Sequence, residues 1–379
     1  MRRALLAAVA LSATLAAPVP ATSADSQSVE PQIAAASWYL VGEDGSVLAR
    51  ERESRPRAIA SITKLMTAVV VLEHARLTDV IRVNARAAGI GESTVYLRTG
   101  EELTVAELLR AMLIPSANDA AEALAFHVGE GSVDQFVGLM NQKAQELGLA
   151  DTRFENPHGL DESGHVSSAR DATTLTRYAL GVAFIRDALQ RSTVTLASGR
   201  TFPTTDDLLG SWAALDAGKT GHTRAAGWSQ AAAASRGGVT VYGTVLGSET
   251  REARNDALRA LLSFGLDQYR RVQAIDRSRV YADAETGYGQ PAVELVAQRG
   301  VVGTVRLGKP LLERIVAPTS LALPVRNGQR LGRVEIYDGN RLVASSNLVA
   351  AEAVEDAGLF AKAGWYVTET ASNLWGMFT

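Results

Sequence analysis

Short apolar runs of strand length frame a middle section in which apolar residues recur at helical spacing. Two such runs, Ala35–Val41 and Ser46–Arg50, flank Gly42-Glu43-Asp44-Gly45, which has the composition of a hairpin turn. Helical patterns follow over Ser61–Ala75, Val105–Met112, Ala117–Val128, Val133–Leu147 and Ala172–Leu180. Trp228–Ala234 and Val239–Leu246 predict paired strands around Arg236-Gly237-Gly238, and Ala253–Phe264 predicts a closing helix. Strands at both ends with helices between them predict an α+β domain whose terminal strands share an antiparallel sheet.

From about Val272 the texture changes. Val293–Ala297, Val301–Leu307, Glu313–Val316, Leu331–Tyr337 and Leu342–Leu348 are β-rich runs, punctuated by Arg299-Gly300, Asn327-Gly328 and Asp338-Gly339-Asn340. That spacing predicts a small all-β sandwich over 272–357. Gly358–Thr379 returns to helical spacing. Phe360, Gly364, Val367, Ala371, Leu374, Trp375 and Phe378 fall on one side, with Lys362, Glu369 and Asn373 opposite. The charges interrupt any spanning run, so the segment is expected to be an amphipathic helix lying on a membrane surface.

Composition sets limits. The chain of 379 residues is 46% hydrophobic and 21% charged, enough apolar material for more than one core. Its 38 Lys and Arg against 41 Asp and Glu leave a net charge of -3 with no basic stripe, so no nucleic-acid partner is expected. It has no cysteine, which excludes a disulfide framework, a thiolate metal site and a cysteine nucleophile. The histidines show no H-E-x-x-H spacing, and there is no G-x-S-x-G elbow. No metal and no cofactor are expected. Gly303–Lys309 imitates a phosphate loop, but Pro310 stands where a magnesium-binding hydroxyl is required.

Arg2 and Arg3 precede the apolar run Ala4–Ala17 and the small residues Ala21-Thr22-Ser23-Ala24. This is the layout of a secretory signal peptide cleaved after Ala24, since the run is short of the ~20 residues that span a bilayer. The expected organisation is a signal peptide over 1–24, a first domain over 25–271, the β domain over 272–357 and the terminal helix over 358–379.

Three short motifs occur in order: Ser61-Ile62-Thr63-Lys64, Ser116-Ala117-Asn118 and Lys219-Thr220-Gly221. Each alone is weak. The S-x-N pattern recurs at Ser345 and Asn347, after the third motif and within the β-rich region, and is read as background. The ordered triple is much rarer, and it is the signature set of penicillin-binding proteins and serine β-lactamases. Ser61 and Lys64, three apart at a helix start, share one face. A serine hydroxyl needs a neighbouring base, and an amine can be that base if burial or a second cation lowers its pKa. Leu65, Met66 and Val69 would wall Lys64, and Lys219 would be the second cation. Ser116 suits a proton relay, or a helix N-cap before Ala117–Val128, or both. Asn118 suits the lysine and the substrate backbone. Lys219 and Thr220 suit a substrate carboxylate, and Gly221 a close substrate backbone. The amides of Ser61 and His222 would form an oxyanion hole.

Beyond the motifs, Ala60–Ala68, Gly100-Glu101-Glu102-Leu103 through Ala120, Asn156-Pro157-His158-Gly159-Leu160, Ser168-Ala169-Arg170-Asp171 and Lys219–Thr223 make the chain similar to the low-molecular-mass penicillin-binding proteins that act as D-alanyl-D-alanine carboxypeptidases. The resemblance implies the β-lactamase-like transpeptidase fold for the first domain. It implies removal of the terminal D-alanine from peptidoglycan pentapeptide stems through an acyl-enzyme on Ser61. It makes Lys64 the proton acceptor and Lys219 the carboxylate ligand, with β-lactams as inhibitors. It also implies export to the periplasm and attachment to the inner-membrane surface through the terminal helix. His158 and Arg254 are placed near the cleft without a role.

Two other readings compete. A class A β-lactamase needs a deacylating Glu with Asn four residues later, and no Glu between Ser116 and Lys219 has one: Glu122, Glu130, Glu146, Glu155 and Glu162 face Phe126, Asp134, Ala150, Gly159 and Val166. A non-catalytic binder of cell-wall peptides has no need to keep Lys64 beside Ser61.

Overall fold

The structure is a computed structural model and describes residues 31–375, with side chains as far as Val367. The expected signal peptide, 1–24, lies outside the described residues, as does the end of the terminal helix, 376–379. The chain divides into two units between Gln268 and Tyr269. The observed boundary lies three residues before the expected start at Val272, because Arg270 and Arg271, both exposed, hide the start of a strand.

The first unit runs β1 (Ser37–Gly42), β2 (Val47–Glu51), a 3₁₀ turn (Ala60–Thr63), α1 (Lys64–His74), β3 (Val80–Arg82), α2 (Ala85–Gly89), β4 (Glu102–Thr104), α3 (Val105–Leu113), α4 (Asn118–Val128), α5 (Val133–Glu146), α6 (Ala169–Gly181), α7 (Ala183–Leu189), β5 (Thr193–Thr195), β6 (Thr201–Pro203), β7 (Leu215–Thr223), β8 (Gly227–Arg236), β9 (Val239–Ser248) and α8 (Arg251–Asp267). Its main sheet is antiparallel throughout, in the order β2-β1-β9-β8-β7. The terminal strands therefore do share one sheet. The elements absent from the sequence pattern, such as α2 and β3, are too short to show a period.

Neighbouring residues of a strand face opposite sides. A Cβ on Gly243 of β9 would meet Leu261 and Leu262 of α8 at 3.4 and 3.0 Å. The next residue, Thr244, accepts the Thr173 hydroxyl of α6 at 2.7 Å. So α8 covers one face and α6 the other. Between Lys64 and Val71, α1 is buried all round, the pattern of a core helix. Cutting a buried Leu65 or Met66 to alanine would cost about 2–5 kcal/mol. That packing makes α1 a rigid mount for the residues at its start.

The second unit contains β10 (Tyr269–Ile275), β11 (Val280–Thr286), β12 (Val293–Ala297), β13 (Val301–Arg306), β14 (Leu312–Val316), β15 (Ser320–Leu321), β16 (Arg330–Asp338), β17 (Arg341–Ala350) and α9 (Leu359–Trp375). A six-stranded sheet, β14-β16-β17-β12-β11-β15, and a β10-β13 ribbon share a core that includes Ile275, Leu295, Val334 and Leu348. The Gly303–Lys309 stretch is strand and turn with no helix after it. The second S-x-N lies on β17, where Asn347 Nδ2 donates to Gln298 Oε1 at 2.8 Å. Lys362 of α9 reaches back to Asp356 at 2.8 Å, and Trp365 packs edge-on against Tyr288 with ring centres 5.6 Å apart. Phe360 and Val367 are 96% and 71% exposed. No described helix is long and apolar enough to cross a membrane.

Candidate active site

Ser61 lies in the 3₁₀ turn that leads into α1. The turn is wedged between two glycines. A Cβ on Gly159 (φ +87°) would stand 2.0 Å from the Ala60 carbonyl oxygen, and one on Gly221 of β7 would stand 3.1 Å from the Ser61 nitrogen. Any side chain at Gly159 would push the turn away, so glycine is required there on both steric and conformational grounds. Ala60 itself holds φ +49°, a strained setting for a residue with a Cβ.

Lys64 is fully buried. Its Nζ is 2.7 Å from Ser61 Oγ, 2.6 Å from Asn118 Oδ1, 3.0 Å from the His158 carbonyl oxygen and 3.5 Å from Ser116 Oγ. Asn118 Nδ2 donates to the Gly91 carbonyl at 3.2 Å, which turns its oxygen towards the lysine. These contacts aim the base. A neutral amine has two hydrogens and one lone pair. Asn118 Oδ1 and the His158 carbonyl can only accept. They take the two hydrogens and leave the lone pair to Ser61. Burial drives the Lys64 pKa well below its usual value, and the charge on Lys219 drives it further; Asp119 and Glu92 oppose this. Asp119 is also a brace: its carboxylate accepts the amides of Val95 (3.2 Å) and Leu97 (3.0 Å) and so shapes the wall formed by 93–97.

Ser116 does not cap α4. Ala117 takes the cap position with no side-chain bond, and Ser116 sits at φ +66°. The unusual backbone turns its hydroxyl into the cluster, where Lys219 Nζ donates to it at 2.9 Å. The expected N-cap role fails because the hydroxyl cannot reach the helix amides and both lysines at once. Lys219 also donates to the Thr220 carbonyl at 3.0 Å. Burial, with help from Arg254, lowers its pKa to about 7, against the pull of Asp206.

β7 ends the sheet, with Gly221 packed beside the 3₁₀ turn, and among the described residues its outer edge pairs with no further strand, the kind of edge an extended peptide can join. Thr220 exchanges a 2.6 Å hydrogen bond with Thr205. His222 is exposed and stacks on Trp228 with ring centres 4.0 Å apart. Arg254 is buried, lies 5.8 Å from the Trp228 ring and donates to Asp207 at 3.1 Å. The structure thus gathers Ser61, Lys64, Ser116, Asn118 and Lys219 into one hydrogen-bonded cluster, with Thr220 and Gly221 beside it on β7 and His222 further along the same strand.

Several participants are not evident in the sequence. Thr205, Asp206 and Asp207 precede β7 in an irregular segment with no motif. His158 serves through its backbone carbonyl, and Pro157 likewise accepts the Thr67 hydroxyl at 2.6 Å; side-chain identity carries no sign of either. Within Ser168-Ala169-Arg170-Asp171, Ser168 caps α6 by accepting the Asp171 amide at 3.2 Å, which is why that helix begins at Ala169 and not at Ala172.

Comparison with known proteins agrees with this geometry. The sequence profile described as D-alanyl-D-alanine carboxypeptidase matches residues 23–250, and that of the penicillin-binding protein 5 C-terminal domain matches 269–356. The chain is 31% identical to D-alanyl-D-alanine carboxypeptidase DacF of Bacillus subtilis over 86% of its own length and 87% of that protein's. It is 31% identical to DacC of Escherichia coli, covering 90% of each. Penicillin-binding protein 5 from Haemophilus influenzae superposes with a TM-score of 0.63 at 27% identity, over 86% of this chain and 99% of that one. The Streptomyces K15 DD-transpeptidase superposes with a TM-score of 0.60 at 31% identity, over 63% of this chain and 99% of that one. On these matches, over a fold of two units that carries the ordered motifs, the chain belongs to the D-alanyl-D-alanine carboxypeptidase family.

Proposed function

We propose that the chain is a serine D-alanyl-D-alanine carboxypeptidase in which Ser61 is the nucleophile and Lys64 its base. The 2.7 Å contact between Ser61 Oγ and a buried, pKa-depressed Lys64 carries this reading. Lys64 takes the serine proton as Oγ bonds to the carbonyl carbon between the last two D-alanines. The amides of Ser61 and His222 stabilise the oxyanion. Ser116 passes a proton to the departing nitrogen, the C–N bond breaks and D-alanine leaves. Water then hydrolyses the ester. Asn118 holds the lysine and the substrate backbone, Gly221 lets that backbone approach, and Lys219 and Thr220 bind the terminal carboxylate. A β-lactam acylates the same serine.

Intact-protein mass spectrometry tests the scheme. A peptide ending in D-Ala-D-Ala should lose one D-alanine with fast turnover, whereas a penicilloyl adduct should persist for minutes. An adduct gone within milliseconds, with the antibiotic destroyed catalytically, would instead mark a β-lactamase.

Lys219→Ala should weaken kcat/KM by about one to two decades, the worth of a charge-assisted contact of roughly 1.5–3 kcal/mol. The loss should be confined to substrates with a free terminal carboxylate. An equal loss on the amidated peptide would remove Lys219 from that role.

We further propose that the protein is exported through residues 1–24 and rests on the periplasmic face of the inner membrane through α9. The exposed Phe360 and Val367 support this. Deleting 358–379 should move the protein from the membrane to the soluble fraction; an intact protein already soluble after gentle lysis would refute the attachment.

A further inference from the structure

Behind Lys64 lies a buried carboxylate that the scheme above does not use. Glu122 is on α4, one turn beyond Asn118, and is wholly buried. Its Oε1 accepts from Arg86 Nε of α2, in an ion pair whose arginine side chain is 63% exposed. Its Oε2 has no hydrogen-bond partner. That oxygen stands 3.7 Å from His158 Nε2. The other ring nitrogen of His158, Nδ1, accepts the Leu160 amide at 3.2 Å and therefore carries no hydrogen. Burial and the Lys64 charge depress the His158 pKa to about 3, so the ring is neutral and its one N–H is on Nε2, facing Glu122. The carbonyl of the same residue is one of the two acceptors that fix Lys64.

We propose that Glu122, clamped by Arg86, is a positioning residue: it holds the His158 ring through Nε2–H, and through the His158 backbone it keeps the carbonyl that aims the Lys64 lone pair at Ser61. The inference rests on the assignment of Lys64 as base. Closing the contact from 3.7 Å to a normal bond needs a shift of roughly 0.7 Å. An unpaired oxygen in this setting is costly, so the geometry favours that closure when the site is loaded. A buried carboxyl left without Arg86 would take up a proton, because burial already raises the Glu122 pKa and Arg86 is the group that opposes it. Protonated Glu122 would lose the charge that draws Nε2–H and keep only a neutral carbonyl acceptor, so its grip on the ring would loosen.

The groups facing Glu122 are Arg86 from α2 and His158 from the 156–160 segment, with Lys64 of α1 beyond His158. The test is penicillin acylation of the full chain, resolved into noncovalent affinity, limiting acylation rate and final labelling stoichiometry, for Glu122→Leu, Glu122→Gln and Arg86→Gln. Glu122→Leu should lower the limiting rate about tenfold with affinity within about twofold and stoichiometry intact. Glu122→Gln keeps a neutral acceptor for Nε2–H without the charge and should recover part of the rate, falling between Glu122→Leu and the unmodified protein. Arg86→Gln changes a largely exposed side chain, so folding should survive. Its rate relative to the unmodified protein should be lowest at acid pH and climb as Glu122 regains its charge. The proposal is overturned if Arg86→Gln shows a pH-independent ratio to the unmodified protein. It also fails if Glu122→Leu labels fully at an unchanged rate, or if Leu and Gln lose rate equally. A Glu122→Leu protein that labels substoichiometrically has lost folding, and Arg86→Gln then decides alone. Should Lys64→Met label at the normal rate, the base assignment itself falls; a normal Lys64 dependence with no Arg86 effect sinks only the positioning role.

Discussion

Ser61→Ala is expected to abolish D-alanine release and covalent penicillin labelling together. The substitution removes the hydroxyl held by Lys64 at 2.7 Å and leaves the surroundings in place, since Ser61 is only half-buried in the turn that leads into the rigid α1. Loss of a nucleophile in a hydrolase of this type typically costs ~10⁴-fold or more, the remainder coming from the oxyanion donors and substrate binding. Noncovalent affinity for the peptide should change little, because the carboxylate contacts lie on β7. The check is paired: D-alanine release by amino-acid analysis, and labelling by fluorescent penicillin on a denaturing gel. Labelling that survives on another serine would overturn the assignment of the nucleophile.

Lys64→Met should reduce acylation by about 10²–10⁴-fold, the usual range for losing a general base. Methionine nearly fills the volume of the lysine stem and brings no charge into a fully buried site, so folding should hold while chemistry fails. The pH dependence follows from the same groups. Lys64 must be neutral to accept the serine proton, so kcat/KM rises as pH climbs through its depressed pKa. Lys219 must be charged to hold the carboxylate, so kcat/KM falls as pH passes about 7. The two lysines interact, and the limbs of the profile belong to the pair. Lys64→Met should erase the ascending limb and keep the descending one. A variant that retained a full ascending limb would place the base elsewhere.

The catalytic triple was legible because its members are separate short motifs, each with its own spacing: Ser61 with Lys64 on one helical face, Ser116 with Asn118 at a helix start, Lys219 with Gly221 on a strand. Long elements were legible for a related reason, since α4, α5 and β9 repeat an apolar period over enough residues to declare themselves. Arg270 and Arg271 concealed the start of β10, and no period can form in the short α2 or β3. Ser116 shows the limit from the other side. Its residue type and position fit an N-cap, yet its φ of +66° turns the hydroxyl towards Lys219.

The sequence alone determined which side chains are available for the chemistry, the order of helices and strands that carries them, and the change to an all-β unit near residue 270. Side-chain type and hydrophobic period are local properties, and local properties can be read along a chain. Tertiary structure alone decided that the backbone carbonyls of His158 and Pro157 hold α1, that Gly159 must admit the Ala60 carbonyl, and that Glu122 stands behind His158. Every residue has a carbonyl, so no letter marks the one that meets a lysine 94 positions away. The depressed pKa of Lys64 is decided in the same way, because burial and the nearness of Lys219 exist only once the helices and β7 have closed around them.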